Sequence, residues 1–114
     1  MRRGQIWSVA AGQGYAGKPR PVVIVEDNRF DATGSITICA FTTFLVDAPL
    51  LRIAVEPNET NGLRQTSHLM VDKLTTLPKS KVGAQIGVLD PEDLIRLNQA
   101  LIVFLGLTGR RAAA

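Results

Sequence analysis

Apolar and polar residues alternate along most of this chain, in short segments bounded by Gly, Pro, Asn and Asp. Six segments follow this pattern, at residues 5–10, 21–26, 35–41, 50–56, 67–73 and 81–89. Runs rich in β-branched residues between turn-forming residues are typical of β-strands. Their spacing predicts an antiparallel meander that forms a small barrel, in which the strand edges are hidden.

The last quarter of the chain changes to a helical period. Asp90 suits the N-cap of a helix and Pro91 suits its first position, while Gly106 suits a left-handed cap at its end. One apolar face is expected from residues at spacings of three and four: Leu94, Leu97, Leu101 and Leu105. Four more apolar residues widen this surface: Ile95, Ile102, Val103 and Phe104. We therefore expect the helix to pack on the barrel and also to contact a second subunit.

Length and composition narrow the class of protein. A chain of 114 residues fits one domain, which we expect over residues 1–108, with a flexible tail at 109–114. One Cys and one His exclude an internal disulfide and a structural zinc site, and we expect no cofactor. The longest apolar run, residues 100–105, is far shorter than the roughly 20 residues of a membrane span. With no signal sequence at the N-terminus, we expect a cytoplasmic protein without a membrane partner.

The tetrapeptide Lys18-Pro19-Arg20-Pro21 fixes the orientation of two cations. A residue before proline is driven into extended geometry, and each proline ring fixes its own φ. A guanidinium held in this way presents a planar set of donors that matches a phosphate, which a net charge of +3 also permits. From the residues alone, a surface arginine between two structural prolines is an equally good interpretation.

Two other strand ends carry polar groups. Thr42 and Thr43 close the third segment and suit donation to a phosphate oxygen, although hydroxyls at such positions more often cap a turn. In the fifth segment, alternation separates an apolar face from a mixed face with His68, Met70 and Asp72. A mixed face of this kind suits a strand that lines a groove.

The polar groups of the fifth segment have several interpretations. Asp72 suits a general base, a partner that orients a nearby arginine, or a plain ion pair with Lys73. A lone histidine such as His68 is more often polar surface than part of a site. Lys79 adds a cation to these polar groups; the alternative is that it lies in a solvated turn.

A glycine-rich segment, residues 12–17, has the G-x-G-x-x-G spacing of a dinucleotide site. That site needs a helix to open at the third glycine, whereas here two prolines and a strand pattern follow. We therefore predict a loop between the first two strands with Tyr15 at its tip. Its ring suits stacking on a base, although an ordinary loop aromatic is the more common case.

Five short motifs, in this order and spacing, resemble the MazF/PemK family of toxins over residues 3–107. They are Arg3-Gly4-Gln5-Ile6-Trp7, Arg20-Pro21-Val22-Val23-Ile24-Val25, Ala40-Phe41-Thr42, Val71-Asp72-Lys73, and Gly87-Val88-Leu89 before the last helix. The resemblance implies a mainly β chain with a C-terminal α-helix, in a small SH3-like β-barrel of the CcdB/PemK/MazF type that forms a homodimer. It also implies metal-independent cleavage of single-stranded RNA at short sequences, and inhibition by a small acidic antitoxin.

Position by position, the resemblance makes Arg20 the catalytic arginine, Thr42 the catalytic threonine and Asp72 the acid that some members use. Met70 stands where a PemK-type member has an arginine, so Arg20 with Thr42 is the preferred catalytic pair. These two would stabilise the phosphorane formed when the RNA 2′-hydroxyl attacks the adjacent phosphorus. The expected RNA-binding residues are Tyr15, Lys18, Thr43, Phe44, His68 and Lys79.

Two other functions fit the same fold class. A CcdB-like toxin would bind and poison a topoisomerase without catalysis, and fold alone does not separate it from a ribonuclease. Such a binder has no chemical need for Arg20 with Thr42. A peptide-binding SH3-like module would need an aromatic-lined groove, and the six aromatic residues here are spread singly along the chain.

Overall fold

Six β-strands precede one helix in the computed structural model, which describes residues 1–10 and 19–107. The strands are β1 (Gln5–Val9), β2 (Arg20–Ile24), β3 (Ser35–Thr42), β4 (Arg52–Val55), β5 (Ser67–Pro78) and β6 (Val82–Val88). The helix, α1, is Pro91–Phe104, and two short 3-10 turns lie at Asn28–Phe30 and Lys79–Lys81. The prediction of a mainly β chain with a C-terminal helix is confirmed.

The strands form one antiparallel sheet in the order β4-β5-β3-β2-β1-β6. The predicted meander is wrong at two places, because β3 pairs with β5 rather than β4, and β6 returns to pair with β1. The pairing of β3 with β5 follows from the length of β5. This strand extends five residues beyond the predicted segment, so it reaches along the whole of β3. The short β4 is left at the edge of this pairing order, where strands of four residues are common.

Alternation along the strands gives the sheet two apolar faces. The face toward the helix buries Val23, Cys39, Leu69 and Val71 against Leu97 and Leu101 of α1, so the expected packing of the helix on the sheet is confirmed. The opposite face buries a second cluster: Val9, Val22, Ile24, Ile36 and Ile38. Cys39 is a small core residue as expected. Its burial, and then the nearby charge of Asp72, raise the pKa of the thiol to about 12.

The ends of α1 lie where the sequence predicts them. Asp90 occupies the N-cap position, but its side chain makes no capping bond because its Oδ2 accepts a 2.7 Å hydrogen bond from Asn58 Nδ2. Gly106 has φ of +71°, and the Leu107 amide bonds to the Ile102 carbonyl at 2.8 Å, which closes the predicted left-handed cap. Nowhere in the described part of the chain is a helix long and apolar enough to cross a membrane.

Candidate functional site

Arg20, Thr42 and His68 form one row across three neighbouring strands. Val22 of β2 lies beside Ala40 of β3, and continuing this register by two residues places Arg20 beside Thr42. Thr42 itself pairs with His68 of β5. Residues directly opposite each other in an antiparallel sheet project from the same face, with Cβ atoms about 4.5–5.5 Å apart. The three side chains therefore share one face of the sheet, the face that also carries Val22.

A groove of about 820 Å³ opens beside Arg20. Its lining combines strand residues with a loop: Pro19, Pro21, Thr43, Ser67, Ile86 and residues 62–65. Arg20 and Arg64 both line this groove, and none of the described residues that line it is acidic. With two arginines and no acidic side chain among its described lining residues, the groove suits a phosphate backbone.

The loop that carries Arg64 is held rigidly against the sheet. The buried Asn61 accepts hydrogen bonds from the amides of Asn58 and Leu63 through Oδ1, and it donates to the Glu56 carbonyl through Nδ2. A Cβ at Gly87 of β6 would lie 2.4 Å from the Asn61 carbonyl oxygen, so only glycine allows this approach. The groove is therefore shaped by a wall that is already in place before any ligand binds.

The hydroxyl of Thr42 combines the two interpretations that its sequence position allowed. Its Oγ1 accepts a 3.1 Å hydrogen bond from the Phe44 amide and so caps the turn after β3. A hydroxyl that accepts in this way still has its own proton to donate. The turn also exposes Phe44, which is 74% accessible to solvent.

A second groove, of about 590 Å³, lies beside His68, the strand partner of Thr42. It is bounded by residues 45–49 of the loop after β3, and by Arg52, Ala54 and His68 of the sheet. Arg52 pairs with Met70 across the strands β4 and β5, and Ala54 pairs with His68. Of the mixed face that alternation predicted for β5, His68 lines this groove.

Asp72 lies in a bulge of β5 and is held by two cations. Between the pairs Cys39–Leu74 and Phe41–Leu69, residues 70–73 of β5 stand opposite the single residue 40 of β3. Bulges of this kind redirect side chains. Asp72 Oδ1 lies 2.6 Å from Arg52 Nη1, and its Oδ2 lies 3.2 Å from Lys73 Nζ. Burial of the carboxyl would raise the pKa of Asp72, but the hydrogen bonds from Arg52 and Lys73 outweigh it and lower the pKa.

The remaining predicted residues are not brought together with this row. Lys79 follows the far end of β5, on the order of 30 Å from His68 at the rise of an extended strand, and its Nζ contacts Asp31. Tyr15 and Lys18 lie outside the described residues. Their assignment to RNA binding, like that of Lys79, stays a prediction.

Residues 2–105 match the family described as the PemK-like, MazF-like toxin of type II toxin-antitoxin systems. This chain belongs to that family.

The toxin is similar to relatives from several mycobacteria. It is 52% identical over 109 residues to a probable endoribonuclease MazF of Mycolicibacterium smegmatis, which covers 96% of this chain and all of the relative. A mycobacterial endoribonuclease solved in complex with its cognate antitoxin is 26% identical, with a TM-score of 0.77 over 96% of this chain and 99% of the other. The Mycobacterium tuberculosis toxin MazF-mt6, 24% identical, shares the fold with a TM-score of 0.75 over 90% of this chain and 96% of the other.

Sequence reasoning missed two arginines of the toxin that line the grooves, Arg52 and Arg64. Arg52 left a signal, because it alternates with Ala54 on the same face of β4. Its partner Asp72 is 20 positions away, and nothing local links them. Arg64 lies in a loop without periodicity, so only the folded chain shows which groove it faces. In the described part of the toxin, no group of three or more His, Cys, Asp or Glu side chains is placed to hold a metal ion.

We predict that Asp72→Asn destabilises the toxin at neutral pH and that this effect disappears in acid. A carboxyl whose pKa is lowered by folding stabilises the protein above its unfolded pKa of about 3.9, and this stabilisation is lost as the pH falls through the folded pKa. Asparagine leaves the half-buried Arg52 without its charge partner, at a cost of about 1–2 kcal/mol at pH 7. Urea titrations from pH 7 to below pH 4 measure the difference. The control, Glu59→Gln, removes the same charge from an exposed site, and a pH-independent effect of Asp72→Asn would contradict the prediction.

Proposed function

We propose that this toxin is a sequence-specific, metal-independent endoribonuclease that cleaves single-stranded RNA in the cytoplasm. Membership of the family and the close relative that is named an endoribonuclease support this activity. The observation that carries the mechanism is the placement of Arg20 beside Thr42 on one face of the sheet, at the edge of a positive groove.

The proposed reaction uses the nucleophile that RNA itself contains. The 2′-hydroxyl oxygen attacks the adjacent phosphorus in line, the bond from phosphorus to the 5′-oxygen breaks, and the products are a 2′,3′-cyclic phosphate and a 5′-hydroxyl. Negative charge accumulates on the phosphorane oxygens during this step. Arg20 and the Thr42 hydroxyl stabilise that charge, and one well-placed donor of this kind typically contributes about 3–4 kcal/mol.

In this mechanism Asp72 orients Arg52 instead of moving a proton. Both of its oxygens are engaged by cations, at 2.6 Å and 3.2 Å, and its lowered pKa keeps it ionised. Arg52 also donates to the Leu51 carbonyl at 2.9 Å, so its side chain is fixed at two points along the second groove. A guanidinium held in this way is suited to bind the backbone of the RNA.

The two grooves, one lined by Arg20 and the other by His68, are suited to a strand of RNA that lies across the sheet. Arg64 and Thr43 meet the strand on one side, while His68 and Arg52 meet it on the other, and the exposed Phe44 is placed to stack on a base. Tyr15 and Lys18, which lie outside the described residues, and the more distant Lys79 complete the proposed contacts. An acidic antitoxin would be attracted to the same positive groove, so inhibitor and RNA would compete for it.

We predict that Arg20→Ala lowers the rate of RNA cleavage by roughly 10²-fold or more, because the phosphorane loses its fixed cation. Arg20→Lys should restore only part of the rate, because an ammonium lacks the planar fork of donors. The measurement is cleavage of RNA in EDTA with the product ends mapped as 5′-hydroxyls.

The matched control is Arg29→Ala, which removes an arginine that is 81% exposed on the turn after β2. It should cleave at the wild-type rate, and the thermal midpoint of Arg20→Ala should stay close to that of wild type. RNA left intact by the wild-type toxin would contradict the proposed function and favour a non-catalytic, CcdB-like binder.

We predict that Arg64→Ala raises KM for RNA with little change in kcat, because Arg64 faces the groove across from the reacting residues. Loss of one phosphate contact should also reduce the dependence of log Kd on log salt concentration by about one. Affinity for an uncleavable 2′-deoxy oligonucleotide, measured over a range of salt concentrations, tests this. The control is again Arg29→Ala, and an unchanged salt slope for Arg64→Ala would remove Arg64 from the binding site.

The toxin is also proposed to form a homodimer through α1. Ile95, Ile102 and Val103 are all exposed on the side of the helix opposite the buried Leu97 and Leu101, as a 3.6-residue period requires. Three exposed apolar residues on one helical face are costly unless a partner covers them.

Ile102→Glu should therefore convert the dimer to a monomer, because it places a charge in the proposed interface. Sedimentation at micromolar concentration makes the test. The same substitution at Phe30, an exposed residue of the turn after β2 and not of α1, should leave the dimer intact. A monomeric wild type would contradict the proposal.

A further inference from the structure

Attack by the RNA 2′-hydroxyl requires a group that accepts the proton of that hydroxyl. Few side chains of the candidate site are able to accept it. An arginine stays protonated in proteins, so Arg20 is excluded as the acceptor. Both oxygens of Asp72 are already hydrogen-bonded to Arg52 and Lys73. The Thr42 hydroxyl is a donor at neutral pH, and its oxygen already accepts from the Phe44 amide.

His68 occupies the position where such an acceptor is needed. It pairs directly with Thr42 on one side and with Ala54 on the other, so its imidazole projects from the face that carries Arg20 and Thr42. The ring is half-buried and lines the second groove. Among the described residues, no hydrogen bond or ion pair engages the imidazole, so both ring nitrogens are available to a ligand in the groove.

The charged groups around His68 come from every neighbouring element. Arg52 of β4 and Asp47 of the loop after β3 line the same groove, and Arg20 of β2 lies one strand beyond Thr42. Asp72 lies on the same strand but is turned to Arg52. His68 differs from both acids: Asp47 lies on the loop and not on the strand face that carries Thr42, and both oxygens of Asp72 are already engaged.

We propose that His68 is the general base of the cleavage reaction. This inference rests on the proposed ribonuclease function. The neutral imidazole accepts the proton of the 2′-hydroxyl as the bond from O2′ to phosphorus forms. The bond from phosphorus to O5′ then breaks, water supplies the proton that O5′ takes up, and the imidazolium returns its proton to solvent. The step needs no oxidant, metal or other co-reactant.

The test compares pH–rate profiles of the wild-type toxin and His68→Gln on one RNA. Glutamine keeps the capacity to hydrogen-bond, but its amide does not take up or release a proton near neutral pH. The wild-type kcat/KM should rise with pH along a limb set by one group, and His68→Gln should lose that limb together with roughly 10²-fold or more in rate. Asp72→Asn should keep the limb. Added imidazole should restore part of the activity of His68→Ala.

Two further measurements separate catalysis from other roles of His68. Affinity for a 2′-deoxy oligonucleotide should be similar in the wild type and in His68→Gln; a loss of affinity that accounts for the lost rate would overturn the proposal and leave His68 a binding residue. A substrate whose 5′-oxygen is replaced by sulfur needs no acid to leave. The defect of His68→Gln should persist on this substrate, and its disappearance would overturn the assignment in favour of a general acid.

The outcomes also separate this inference from the function on which it rests. If the wild-type toxin does not cleave RNA in EDTA, both are wrong. If the wild type cleaves and His68→Gln cleaves at the same rate, only the role of His68 is wrong. The thermal midpoint of each variant shows that it is folded, and His68→Asn provides a second variant if glutamine disturbs the groove.

Discussion

The antiparallel register of β2, β3 and β5 is the constraint on which the candidate site depends. Backbone hydrogen bonds between strands fix which residues stand opposite each other, and a shift of one residue would turn every side chain to the other face. In this register the buried Val22 and Ile24 share a face with Arg20, so the packing of the core determines where the guanidinium points. The burial of these two side chains thus positions the guanidinium of Arg20.

The same face of the sheet serves stability at one end and chemistry at the other. Its apolar end buries Ile24, Ile36 and Ile38, which hold the strands together, whereas its other end carries polar side chains that remain half-exposed. The loop anchored by Asn61 closes one side of the polar end, and its contact with Gly87 ties it to β6. Because this wall is held by buried hydrogen bonds, little conformational entropy remains to be lost when a ligand enters.

The sequence predicted what depends on local patterns. Alternation identified six strands and the two faces of β5, and capping residues identified both ends of α1. The pairing order was beyond local reasoning, because β5 continues from residue 73 to residue 78 through residues that are mostly exposed. The contact of Asp72 with Arg52 arises from pairing between the distant segments β4 and β5, so the partner of that acid could not be read from its neighbours. The row of Arg20, Thr42 and His68 appears only once the register is known.

The ion pair between Asp72 and Arg52 decides which roles these two residues are able to take in the proposed reaction. Removing a carboxylate from water costs free energy unless it is paired, and here two cations hold both oxygens of the partly buried Asp72 and lower its pKa. The same contacts that make the acid stable remove it as a proton acceptor, while they fix Arg52 beside the second groove. Arg20, Arg52 and the Thr42 hydroxyl then stabilise charge but accept no proton, and the imidazole of His68 supplies the property that these three lack.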